Sequence, residues 1–235
     1  MIQVFPAESR YSAEHGWLHS KFSFSFAEYF DPNNLQFGPM RVLNDDRVAA
    51  HRGFGTHPHK EMEIVSIVLE GYLKHEDSYG HGATTTFGEI QRMSAGTGIF
   101  HSEINPADEE VNFLQMWFLP KELGTKPSYE KSSFTIEKMK NALLPVVSYH
   151  ADKLEEAAFI NQDLTIYLSD LEPNQSISFS QKNDRKTFVF VIEGKVKVGD
   201  EWLMKRDSAR IENEEELVFI TEGKSRFMVI DLPNK

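Results

Sequence analysis

Short apolar runs follow one another along most of the chain, many alternating with polar residues and bounded by Gly, Pro, Asn or Asp. Alternation at every second position gives an extended segment one face for the core and one for water, so these runs predict strands. The clearest lie at residues 40–50, 63–69, 72–76, 113–119, 164–168, 187–192, 195–198 and 226–232. Glu70-Gly71 and Glu193-Gly194 break apolar runs and predict hairpin turns, as does Val198-Gly199-Asp200. Helices are expected only at 134–144 and 151–159, and both are short. Many strands with little helix predict an all-β chain built from sandwiches or barrels.

The pattern also repeats. Val68-Leu69-Glu70-Gly71-Tyr72-Leu73 is echoed by Val191-Ile192-Glu193-Gly194-Lys195-Val196, an offset of 123 residues in a chain of 235. Between the copies, PKELGTKP at 120–127 has the composition of a linker. Two domains are therefore expected, 1–125 and 126–235.

Composition narrows the class of protein. Hydrophobic residues make up 40% of the chain and include 18 Phe, enough for a packed core. Cysteine is absent, which removes disulfides, thiolate ligands and Cys nucleophiles and fits a reducing, cytoplasmic setting. No apolar run approaches the roughly 20 residues of a membrane-spanning helix. The opening MIQVFPAESR lacks the basic and apolar regions of a secretory signal. Net charge is -11, and residues 1–120 hold 16 Asp/Glu against eight Lys/Arg. Such a front half repels phosphate backbones and anionic lipid, so neither nucleic acid nor a membrane is an expected partner.

Two segments carry candidate chemistry, GTHPHKEME at 55–63 and GTGIFHSEIN at 96–105. Each holds two metal-ligating side chains at i and i+2, His57 with His59 and His101 with Glu103. On extended backbone such positions share a face. If the segments are neighbours, three imidazoles and one carboxylate converge, a set that suits a first-row divalent metal: Fe, Mn, Co, Ni, Cu or Zn. A lone H-x-H pair more often marks surface histidines. The second pair, the flanking glycines and the β context shift the balance to a metal site, without naming a reaction.

Other residues read more plainly. His75 and Asp77, after the Gly71 turn, are expected as surface hairpin residues rather than pocket lining. His15, His19, His51 and His81 have no partner at ligand spacing and are expected to be structural or exposed. The aromatic run from Phe22 to Phe30 suits a core, although Phe24 or Phe26 facing a barrel interior would stack on a flat ligand. Asp45 or Asp46 would orient a ligand histidine by accepting its second ring proton. No phosphate loop, dinucleotide fingerprint or Ser-His-Asp arrangement is present.

HPHKEMEIVSIVLEG, HEDSYG, MSAGTGIFHSE and NPADEEVNFLQMWFLP, with HGW, FSFAEYFDP and RVLNDD upstream, resemble the pirin family of the cupin superfamily, its bacterial branch in particular. The resemblance implies a bicupin, two tandem double-stranded β-helix barrels of jelly-roll type. It implies one divalent metal ion on His57, His59, His101 and Glu103, with Fe2+ the first choice among Cu2+, Ni2+, Co2+, Mn2+ and Zn2+. Glu63 falls one residue early for the first cupin motif and is expected beside the site or in strand pairing. The back half holds His150 alone and no H-x-H, which implies a metal-free, structural second cupin.

The implied activity is a dioxygenase that cleaves a flavonol such as quercetin, Glu103 serving as ligand and general base. Phe24, Phe26, Asp46 and Gln115 are the expected substrate contacts, and the chain is expected to be a monomer. The alternative, from a different class, is a metal-dependent regulatory or binding protein: a pirin-type redox sensor or transcriptional co-regulator.

Overall fold

Each of the eight apolar runs is a strand, and Gly71, Gly194 and Gly199 turn their hairpins with positive φ. The structure, a computed structural model, describes residues 1–181 and 184–234. Its first strands are β1 (Ile2–Phe5), β2 (Tyr11–Glu14), β3 (Leu18–Phe22), β4 (Met40–Val48), β5 (Gly53–His59), β6 (Glu63–Glu70) and β7 (Leu73–Asp77). Next come β8 (Gly82–Thr85), β9 (Glu89–Ser94), β10 (Ile99–Ile104), β11 (Val111–Phe118), β12 (Ser128–Ser133), β13 (Leu144–Ser148), β14 (Ala158–Phe159) and β15 (Thr165–Leu171). The last are β16 (Ser176–Ser180), β17 (Arg185–Glu193), β18 (Val196–Val198), β19 (Glu201–Leu203), β20 (Ser208–Glu212), β21 (Glu216–Ile220) and β22 (Ser225–Pro233).

Two compact units result, and the division differs from a single cut near residue 125. The front unit is Tyr11–Phe134 with Ala158–Gln162; the back unit is Met1–Arg10, Thr135–Ala157 and the chain from Asp163 onward. Met1–Arg10 belongs to the back because β1 pairs with β20, Ile2 opposite Ile211. Ala158–Gln162 belongs to the front, where the Asn161 amide donates to Glu63 Oε2 at 3.1 Å and Gln162 Nε2 to the Leu119 carbonyl at 2.7 Å. Both attachments are long-range, and no local composition announces them.

The same antiparallel architecture is built twice. In the front unit β12-β9-β6-β11-β4-β3-β2 form one sheet and β5-β10-β7-β8 another. In the back unit β1-β20-β17-β22-β15-β13 repeats the order of the first six strands of the larger sheet, and β16-β21-β18-β19 that of the smaller. This is the two-barrel, all-β bicupin expected from the sequence. The back core is closed by residues such as Val189, Val191, Phe219, Phe227 and Val229, all without exposed surface.

The two expected helices do not form. They are replaced by single 3-10 turns at Ile136–Met139 and Ala151–Lys153. Asn141 takes a left-handed φ of 52° two residues after the first turn, and its amide donates to the Asp170 carbonyl, so the chain leaves the helical path. No helix among the described residues is long and apolar enough to cross a membrane.

Candidate metal centre

Three adjacent strands, β5, β10 and β7, each present a pair of side chains at i and i+2 to the inside of the front barrel. Alternation does the sorting: on β10, His101 and Glu103 are 2% exposed, while Phe100 and Ile104 on the outward face are 53% and 37% exposed. Cross-strand register then aligns the pairs, with His101 opposite both His57 and Asp77, and Glu103 opposite His75. A bulge separates His101 from Glu103 on the β5 side. There the backbones approach so closely that a Cβ on Gly53 would lie 2.2 Å from the Glu103 carbonyl oxygen.

Ring nitrogens of His57, His59 and His101 that could ligate a metal lie within 4.8 Å of one another. His57 Nδ1 sits 2.8 Å from the Gly55 carbonyl, which leaves Nε2 for the centre. The Nε2 atoms of His59 and His101 are buried without a hydrogen-bond partner. A buried polar atom left unpaired costs about 1–3 kcal/mol, so convergent orphans of this kind fit a divalent cation. Burial, with the adjacent His57, depresses His59 to about 4. Burial and the charges of His57, His59 and His75 depress His101 to about 2. Both rings are therefore held neutral, the state that ligates a metal.

Glu103 is arranged differently from the three imidazoles, grouping with His75 and His101. Gln91 Nε2 and Gln115 Nε2 donate to its two oxygens, each at 2.6 Å, and Ser66 Oγ adds a bond of 3.3 Å. These partners come from β9, β11 and β6 on the opposite sheet. Gln115 donates to Glu103, and its own Oε1 accepts from Trp117 Nε1 at 3.1 Å. Burial raises the proton affinity of the Glu103 carboxyl, opposed by His75 and by the hydrogen bonds. Ser66 and Gln91 escape a reading of sequence by ligand spacing. Their signal is a polar residue in the middle of an apolar strand, EIVSIVLE and EIQRMS.

His75 and Asp77 are not surface hairpin residues. Neither side chain has exposed surface, and the His75 ring stacks on Tyr129 at a centroid distance of 4.2 Å. The β7 hairpin is folded into the sheet with β10 on one side and β8 on the other, which buries its inner face. Glu63 is buried away from the imidazole cluster; it pairs with Ser94 across β9 and accepts the Ser94 hydroxyl at 2.7 Å.

A cavity of about 260 Å3 opens beside the cluster, lined by Phe26, Asn44, Asp46, His57, Gln115 and Trp117 among others. Of the expected substrate contacts, Phe26, Asp46 and Gln115 line it. Phe24 does not; it is 1% exposed and packed in the core. His15, half exposed, stands at the rim. Asp46 does not orient a ligand histidine: its carboxylate accepts the Ser20 hydroxyl, and the group facing the His101 ring is His75.

Burial pushes Asp46 from 3.8 up to about 7, the Ser20 bond opposing and the charges of Asp45 and Glu103 adding. The folded protein thus keeps a proton that the unfolded chain has lost between roughly pH 4 and 7, and stability falls as pH rises through that window. The metal-free Asp46→Asn protein should be more stable than the parent at pH 8, by about 4 kcal/mol at most, with the difference closing towards pH 4. Urea unfolding at both pH values tests this; a gap that ignores pH sinks it.

The back barrel carries other residues at the matching positions. Aligned by the repeat and by register, Ser66, Gln91 and Gln115 correspond to Val189, Ala209 and Val229. His75 and Glu103 correspond to Val198 and Phe219, and His57 and His101 to Phe179 and Leu217. An apolar cluster fills the space that the imidazoles, Glu103 and its amide cage occupy in front.

The likeness to known proteins spans the whole chain. The family described as Pirin matches residues 5–118, and a quercetinase C-terminal cupin domain matches 146–232. Quercetin 2,3-dioxygenase of Escherichia coli K12 is 37% identical over 234 residues, 99% of each chain. A pirin-like protein of Caulobacter vibrioides is 33% identical, covering 98% of this chain and 99% of its own. The crystal structure of the bacterial pirin YhhW from E. coli in complex with nickel(II) superposes with a TM-score of 0.93 at 37% identity, over 100% of both chains. With the motifs, the doubled barrel and the front-barrel imidazole cluster in agreement, the chain belongs to the pirin family.

Proposed function

We propose that this protein is a metal-dependent dioxygenase that opens a flavonol such as quercetin. One observation carries the reading: two buried imidazole nitrogens without partners, His59 Nε2 and His101 Nε2, beside a buried carboxylate and an open cavity. His57, His59, His101 and Glu103 hold the ion, with Fe2+ the first choice. The back barrel, apolar at the matching positions, is structural and metal-free. The protein works as a cytoplasmic monomer.

Each group has a physical role in this reading. Phe26 and Trp117, edge to face at 5.2 Å, offer an aromatic wall to a flat ring system. The cavity, about 260 Å3, lies just below the usual range of small-molecule pockets, about 300–1,000 Å3. Glu103, with its raised proton affinity, takes the proton of the flavonol hydroxyl. Gln91 and Gln115 hold its oxygens in place through that transfer. A divalent ion bound there would supply Lewis-acid stabilisation of the resulting oxyanion. The ionised ring system then takes up dioxygen, opens and releases carbon monoxide.

Oxygen uptake with quercetin tests the proposal, using protein stripped of metal and reloaded with each divalent ion in turn. Turnover is expected with one or two ions and none after stripping. Stoichiometric binding without turnover for every ion would reject the dioxygenase and favour a regulatory, metal-sensing role.

A further inference from the structure

We infer that Asp77 and His75 are positioning residues that fix His101 in its Nδ1–H tautomer and so aim the Nε2 lone pair at the ion. This rests on the reading of His101 as a metal ligand. Three side chains form a chain from the edge of the site inward: Asp77 Oδ2 lies 3.2 Å from His75 Nε2, and His75 Nδ1 lies 3.3 Å from His101 Nδ1.

Donor and acceptor chemistry decides where the protons sit. Asp77 takes the backbone N–H of Tyr79 at 2.9 Å and of His81 at 3.1 Å, and the His81 ring nitrogen at 2.9 Å. A carboxylate so surrounded by donors is an acceptor only. His75 Nε2 must then carry hydrogen, which leaves Nδ1 of the neutral ring as a lone pair. His101 Nδ1 faces that lone pair and must donate to it. Its own Nε2 is thereby the bare nitrogen, the one buried without a partner in the imidazole cluster. In the opposite arrangement His75 Nδ1 carries the proton, and His101 puts an N–H into the cluster in place of a lone pair.

The chain is held rigidly enough to enforce the choice. His75 is fully buried and stacked on Tyr129 with 13° between the ring planes. Registers on β10 and β7 hold His101 opposite Asp77 and Glu103 opposite His75, so the relay lies diagonally across the two strands. Partners of this kind typically change metal affinity about 10–100-fold.

Two measurements on the full-length protein test the inference. In the metal-free parent, 15N spectra of labelled histidine should show His101 protonated at Nδ1, and Asp77→Asn should mix the tautomers. Calorimetric titration with Ni2+ should show affinity about 10–100-fold weaker for Asp77→Asn and for His75→Phe. The phenyl ring keeps the stack on Tyr129 but removes the acceptor, which separates positioning from packing. His101 protonated at Nε2 in the parent overturns the inference, as do variants that bind Ni2+ like the parent. A parent that binds no Ni2+ rejects the metal reading itself, while the tautomer measurement still decides the hydrogen-bond chain.

Discussion

Glu103→Gln should lower quercetin-dependent oxygen uptake by about 10²–10⁴-fold, the range of a lost general base, while circular dichroism still shows a folded β protein. The substitution is nearly isosteric, so packing is not the cause. Chemistry fails because an amide cannot take the substrate proton. The cage around Glu103 adds a second effect. Both carboxylate oxygens accept amide N–H groups, from Gln91 and from Gln115. An amide at position 103 places its own NH2 against one of those donors. Flipping Gln115 would break its bond from Trp117 Nε1, and flipping Gln91 would break its bond from the Tyr129 hydroxyl. A donor facing a donor in a buried site costs about 1–3 kcal/mol, so a lower midpoint in urea should accompany the lost turnover. Uptake within a factor of a few of the parent would remove Glu103 from the proton-transfer role.

Gly53→Ala should both destabilise the protein and weaken Ni2+ binding, whereas Gly55→Ala, two residues along the same strand, should do neither. A Cβ at Gly53 would stand 2.2 Å from the Glu103 carbonyl oxygen and 2.6 Å from the Ile104 Cα, contacts with backbone that no rotamer relieves. The strands β5 and β10 must part there. His57 and His59 ride on one of them and His101 on the other, so their nitrogens lose the convergence that would hold an ion. Overpacking of this order costs about 1–3 kcal/mol. At Gly55 nothing lies within 4 Å of the added carbon. Thermal melting and calorimetry on the pair read the difference, and equal behaviour of the two variants would refute a role for close approach at Gly53.

Local order in the chain is enough for much of this protein. The alternation in EIVSIVLE and IFHSEI makes strands without reference to anything distant, and glycine at 71 and 194 turns them because it alone takes positive φ without strain. The i, i+2 spacing likewise decides that His57 shares a face with His59, and His101 with Glu103. Family motifs and the echo of Val68–Leu73 at 191–196 give the doubled barrel. All of these are short-range properties of the polypeptide.

Tertiary structure decides which faces meet. His75 and Asp77 have the same i, i+2 spacing as the other two pairs, yet the burial that makes them partners of His101 comes from pairing of β7 with β10. Ser66, Gln91 and Gln115 lie on three strands far apart in the chain, and only the order β9-β6-β11 opposite β10 gathers them on Glu103. Phe24 and Phe26 are two residues apart, and the turn with the isolated bridge Phe26–Tyr29 sends Phe26 to the cavity while Phe24 stays in the core. Met1–Arg10 joins the back unit through β20, about two hundred residues downstream. Alternation chooses a face for each strand from its own residues, but pairing and register are set by contacts between distant segments, and the geometry of the imidazole cluster and of the Glu103 cage follows from those.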